Sequence, residues 1–143
     1  MKKSSLSYPA MISSDEDEFL VTFRDLPNIF SCGDSEQEAI FNAQEALDLV
    51  LEEMHKDNLD VAWPSKASQN EVMVPVSPDV SVPILLRNLR NKHKYTYTDV
   101  AKIMGVSYQS YQQIELGKNI TLKTLKKAAM ALGATVEVGF LTN

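Results

Sequence analysis

Ala39, Ile40, Ala43, Ala46, Leu47, Val50, Leu51 and Met54 recur at three- and four-residue steps. That period predicts one amphipathic helix of about five turns. Asp34-Ser35 offers its N-cap, and Glu38, three residues after Ser35, completes a capping-box pattern. Phe41 and Leu49 fall off the apolar face, among Glu45, Asp48 and Glu52. Ahead of this helix, residues 6–12 and 18–23 read as short strands around an acidic turn, Ser13 to Asp17, and Ile29 to Cys32 as a third strand stopped by Gly33. Pro9 has no N–H, which predicts an edge strand or a bulge there. After the helix, residues 56–71 are polar and turn-rich, a loop, and VMVPV (72–76) is a further strand. Strands, one long helix and another strand make a small α+β domain over residues 1–76.

From residue 77 to 143 the pattern becomes helical. Pro78 and Pro83 sit near the start of a helix with Ile84, Leu85, Leu86 and Leu89 on its apolar side, and Pro83 is expected to kink or restart it. Thr96 with Asp99 forms a second capping box, opening a short helix that Gly105 ends. Ser107 caps the next helix, closed by Gly117, and a further one runs from residue 121 or 122 to 132, closed by Gly133. The alternation Thr135-Val136-Glu137-Val138-Gly139-Phe140 predicts a short C-terminal strand over residues 135–141, whose exposed-looking pattern suits pairing with a second copy.

Charge divides the chain at the same place. Residues 1–83 carry 16 acidic and 5 basic side chains, residues 84–143 carry 3 acidic and 9 basic, and the whole has a net charge of −5 over 143 residues. Two modules of net −11 and +6 imply partners of opposite charge. The single Cys32 permits no internal disulfide. No apolar run reaches the ~20 residues of a membrane helix, and the polar start has no hydrophobic signal core, so the expected location is cytoplasmic with no membrane partner.

Within the basic half, TYTDVAKIMGVSYQSYQQIELGK (96–118) places two short helices about Gly105-Val106-Ser107. A tight turn between crossing helices needs a residue that tolerates positive φ, hence Gly105, and Ala101 must be small where the helices approach. Val100, Met104, Val106, Tyr111 and Ile114 are the expected core. This order resembles the Xre (phage-repressor-like) helix-turn-helix family over roughly residues 82–133. The resemblance implies that the second helix enters the major groove. It puts Tyr108, Gln109 and Ser110 at base edges, with Gln112 and Gln113 one turn on, bordered by Tyr97, Ser107 and Lys118. A Gln amide can pair bidentately with adenine, and Tyr and Ser can donate to phosphate. Arg87, Arg90, Lys92, Lys94, Lys102, Lys118, Lys123, Lys126 and Lys127 can supply the sequence-independent attraction. By the same resemblance Arg90 and Glu115 form an internal ion pair. Tyr111 stands where that family usually has an aliphatic core residue; core and contact face both remain open for it.

Asp15, Glu16, Asp17 and Glu18 lie in a turn where consecutive acids face water, so no metal is expected there. His55 and His93 have no nearby Cys or Ser pairing that suggests a nucleophile, and neither a catalytic constellation nor a cofactor site is evident. Instead, Asp25-Leu26-Pro27, Gly33-Asp34, Glu38-Ala39, Glu45-Ala46-Leu47 and Pro64-Ser65 follow the order of the HicB antitoxin family, with Arg24 and Asn28 where that family often has Pro and Gly. The resemblance implies a partial ribonuclease-H-like βββαβ domain without nuclease activity, followed by an all-α Xre-type helix-turn-helix domain. It further implies a partner, a small basic HicA-type toxin that cleaves mRNA, and repression of the operon encoding both by binding operator double-stranded DNA. Phe41, Glu45, Asp48 and Glu52 are the candidate toxin contacts, and a homodimer or higher oligomer is expected from the need for two half-sites. The competing reading is a stand-alone transcriptional regulator whose first domain senses a small molecule or another protein.

Overall fold

The computed structural model describes residues 1–118 and 120–142. In chain order the elements are β1 (Ser7–Asp15), β2 (Glu18–Phe23), β3 (Phe30–Gly33), α1 (Glu36–Lys56), β4 (Val72–Pro75), α2 (Pro78–Lys92), α3 (Tyr97–Met104), α4 (Tyr108–Glu115) and α5 (Leu122–Ala131). The chain divides into two compact units, Met1–Ser81 and Val82–Asn143, with the division inside α2.

In the first unit an antiparallel sheet of order β3-β2-β1-β4 carries α1. The registers Ala10↔Phe23, Ile12↔Val21 and Tyr8↔Val74 set alternate side chains on one face. Tyr8, Ala10, Val21, Phe23 and Val74 are buried, as are Ala39, Ala43, Leu47 and Leu51 along α1. Val50, expected on the apolar face, is instead exposed, because the buried stripe of α1 is narrower than the apolar pattern. β1 is a central strand and not an edge. Pro9 is accommodated because its missing N–H disrupts neither ladder: the Val76 N–H bond to the Leu6 carbonyl makes Leu6, Tyr8 and Ala10 the residues bonded to β4, so Pro9 is turned to the β2 side, where pairing begins only at Ala10.

Gly33 does more than end β3. A Cβ there would lie 2.5 Å from the Ala39 nitrogen, so its absence lets the strand approach the first turn of α1. That turn is capped by Ser35, whose Oγ accepts the Glu38 N–H at 3.1 Å. The long loop between α1 and β4 is tied down at three points. The Tyr8 hydroxyl donates to the Ala62 carbonyl at 2.7 Å, Ser65 donates its N–H (2.8 Å) and Oγ (2.9 Å) to the Asp25 carboxylate, and Arg24 donates to the Lys66 carbonyl and to Glu71. Burial, with Asp25 nearby, pushes the Tyr8 phenol far above its usual range and keeps it a donor.

α2 runs unbroken through Pro83, so no restart occurs. Pro83 lies early in the helix and forgoes only the bond to the carbonyl four residues back. In the second unit Leu86, Val100, Ala101, Tyr111, Ile114, Ala128 and Leu132 form the core, with Leu89, Tyr97, Met104 and Leu125 packed against it. Val106, expected in this core, is exposed, because the turn after Gly105 carries it outward.

The C-terminal strand expected over 135–141 is not formed within the chain: residues 134–142 have no regular structure, and Val136, Val138, Phe140 and Leu141 are exposed. A strand exists only as part of a ladder, and among the described residues all four strands belong to the sheet of the first unit.

Candidate functional site

α3 and α4 are set by local chemistry at each end. Thr96 Oγ1 accepts the Asp99 N–H (3.1 Å) while the Asp99 carboxylate accepts the Thr96 N–H (2.8 Å), a reciprocal capping box. That N–H holds the Asp99 carboxyl below the usual carboxylate range. Gly105 closes α3 in the left-handed region at φ 72°, its amide donating to the carbonyls of Ala101 and Lys102. Ser107 opens α4: its Oγ accepts the Ser110 N–H (3.1 Å) and donates to Ser110 Oγ (2.9 Å).

The inner face of α4 consists of Tyr111, Ile114 and Glu115, all buried. Tyr111 is therefore core: it is fully buried, and burial together with the Glu115 carboxylate drives its phenol well above the usual range. At 3.6 residues per turn, the centre of the outer face falls to Gln109 and Gln113, and both are exposed. Ser107, Tyr108 and Ser110 are exposed beside them, whereas Gln112 is half-buried. Tyr97 is half-buried and already engaged, its ring 5.7 Å from that of Tyr108 and 4.4 Å from the Arg90 guanidinium carbon. Lys118, just after α4, is exposed, as are Lys102, Lys123, Lys126 and Lys127.

Arg90 anchors α4 to α2. Its Nε and Nη2 donate to the two Glu115 oxygens, each at 2.8 Å, and its Nη1 donates to the Tyr95 carbonyl at 3.0 Å. The pair is well removed from water, with side-chain exposures of 13% and 2%. Two-point geometry fixes the rotation of α4 about its axis, and hence which residues face outward. Sequence spacing shows neither Tyr97 as a lid on Arg90 nor the Tyr95 carbonyl as its third partner, since both depend on how the helices cross.

On the first unit, Phe41, Glu45 and Glu52 of α1 are exposed, Glu52 paired with Lys56 at 3.1 Å. Asp48 is placed differently. It is half-buried, and its carboxylate accepts the N–H (2.9 Å) and the hydroxyl of Ser77, at the start of α2. Among the described residues there is no cluster of three or more His, Cys, Asp or Glu that would hold a metal, and no helix long and apolar enough to cross a membrane.

An acidic sheet-and-helix module joined to a basic helix-turn-helix module defines the class: a two-part protein with a helix-turn-helix domain of the DNA-binding kind. The family model described as "HicB_like antitoxin of bacterial toxin-antitoxin system" matches residues 7–87, and the "Helix-turn-helix" model matches residues 86–138, the two meeting inside α2. The chain belongs to the HicB-like antitoxin family. It is 28% identical to Antitoxin HicB 2 of Photorhabdus laumondii over 94% of this chain and 96% of that protein. Identity to Antitoxin HicB 1 of the same organism is 30%, over 90% and 83%. The crystal structure of the Burkholderia pseudomallei antitoxin HicB aligns with a TM-score of 0.41 at 24% identity, covering 52% of this chain and 64% of that one. The protein is thus an antitoxin of a toxin–antitoxin system, with a helix-turn-helix for DNA, and its family is not one of enzymes.

Proposed function

We propose that this antitoxin neutralises a HicA-type mRNA-cleaving toxin through its first unit and represses its own operon through its second. The observation that carries the reading is the separation of charge onto two folded units. The first holds 16 acidic and 5 basic side chains, suited to capture and electrostatically steer a basic RNA-binding protein. The second, of net +6, presents Gln109 and Gln113 at the centre of an exposed helix face, in a unit whose lysines are all exposed. In this reading Gln109 and Gln113 touch base edges, Tyr108, Ser110 and Lys118 touch the phosphate backbone, and Ser107 acts mainly as the cap. The acidic surface and the DNA-binding surface lie on different units, so neither has to compromise with the other.

The test is whether a small basic protein is encoded beside this chain, and whether co-expression of the two gives co-purification and rescue of growth. Failure of rescue with both proteins present at equal level rejects the toxin half. For the DNA half, Gln109→Ala should weaken operator binding by ~1–3 kcal/mol and relax base preference, with toxin capture unchanged. Equal losses on operator and random DNA would show that Gln109 does not read bases.

Two half-sites require two recognition helices, so the working form is a dimer or higher. Residues 135–141 alternate apolar and polar side chains and, among the described residues, belong to no sheet, which suits them to pair with the same segment of a second copy. Deleting residues 135–143 should then reduce the mass measured by light scattering to that of a smaller species. An unchanged mass would place the dimer contact elsewhere.

A further inference from the structure

The outer face of α1 is an odd surface for a solvated helix. Phe41 is 59% exposed and Leu49 is 64% exposed. They stand eight residues apart, about 12 Å along the axis at 1.5 Å per residue. Wound at 3.6 residues per turn, Glu38, Phe41, Glu45, Leu49 and Glu52 fall within an arc of about 80°. That arc lies opposite the buried stripe of Ala39, Ala43, Leu47 and Leu51. Acidic and large apolar side chains therefore alternate along one ridge, which Lys56 ends by pairing with Glu52 at 3.1 Å. Asp48 sits at the margin of this arc, and its carboxylate is bound to Ser77.

We propose that this ridge is the toxin-docking surface, with Phe41 and Leu49 as its two anchors and Glu38, Glu45 and Glu52 as its charged rim. The proposal rests on the toxin-binding reading above and deepens it: Leu49 joins the contact set, and Asp48 leaves it. The occupant is a basic protein whose surface has two apolar depressions about 12 Å apart between cationic side chains, the arrangement by which a groove grips an amphipathic helix. Charge complementarity favours that occupant over a second copy of this chain, because two such ridges laid together would set carboxylate against carboxylate.

The experiment compares full-length variants for binding to a HicA-type basic protein, with Kd from calorimetry and the association rate from stopped-flow fluorescence. Phe41→Ser/Leu49→Ser should raise Kd by about 100-fold or more. Glu45→Lys/Glu52→Lys should lower the association rate most at low salt. Met11→Ser, which removes an apolar side chain 40% exposed on the sheet face opposite the buried Ala10 of β1, should leave Kd within about twofold. Operator binding and the melting curve check that each variant is folded. Wild type that binds while the Phe41/Leu49 variant binds equally well overturns the ridge and leaves the toxin reading standing. Wild type that does not bind overturns both. A folded Phe41/Leu49 variant whose oligomeric mass drops while its toxin affinity holds makes the ridge a contact between copies and overturns the proposal.

Discussion

Glu115→Ala should cost the helical unit about 3–5 kcal/mol, the range for breaking one side of a buried ion pair. Glu115 is 2% exposed, and both its oxygens accept from Arg90. Truncation leaves the guanidinium, 13% exposed, with the Tyr95 carbonyl and the face of Tyr97 but without its counter-ion. It also opens a space beside the buried Tyr111 hydroxyl. A loss of this size is a large part of a small domain's whole stability, so operator binding should fall with it. Arg90→Met/Glu115→Leu, which removes both charges and keeps the volume, should recover much of the loss, since the cost lies in the orphaned charge more than in the missing attraction. Residue-resolved hydrogen exchange over α3–α5 measures the unit by itself. A loss below about 1 kcal/mol in the single variant would mean that water reaches Arg90 and the pair behaves as a surface one.

Gly33→Ala should be the most damaging single-methyl change in the first unit. The added carbon would lie 2.5 Å from the Ala39 nitrogen and 2.9 Å from both Ala39 Cα and the Glu38 carbonyl carbon. All three are backbone atoms in the first turn of α1, so no rotamer change relieves the contact. The helix must move off the sheet, and overpacking of this kind typically costs about 1–3 kcal/mol. Gly105→Ala is the informative contrast. Nothing lies within 4 Å of a Cβ there, and only the φ of 72° opposes the substitution, so a penalty of about 1 kcal/mol is expected. Gly33→Ala should lower the melting point of the sheet-and-helix unit and weaken toxin capture, while Gly105→Ala should act on the helical unit. A Gly33→Ala protein that melts like wild type would show that β3 and α1 separate at little cost.

Much of the second unit could be read from the chain because its signals are local. Thr96 with Asp99, Gly105, and Ser107 with Ser110 act over three residues, and the structure places each cap as spacing predicts. Tyr111 was ambiguous because a period of 3.6 puts it beside Gln112 without saying how deep the neighbouring helices lie. Burial against the core resolves it as interior. Val106 misled for the converse reason: it is apolar by sequence, but the turn that begins at Gly105 directs it to solvent. In the first unit, Asp25 and Pro64-Ser65 stood out as separate pieces of the family resemblance, and their forty-residue separation gave no hint that they hydrogen-bond to each other. Spacing groups Asp48 with the other acids of α1, and only the fold brings Ser77 to it.

By itself the sequence determined the helices and the strands of the first unit, the caps of the short helices, the partition of charge, and the family. Periodicity, capping and composition are properties of neighbouring residues and survive without a fold. The tertiary structure alone decided which acids are free to meet a partner, that Gln109 and Gln113 centre the exposed face of α4, and that Gly33 is a contact point and not just a strand end. It also decided that, among the described residues, the alternating tail forms no strand. Each of these depends on atoms far apart in sequence coming within a few ångströms, a distance that no local pattern encodes.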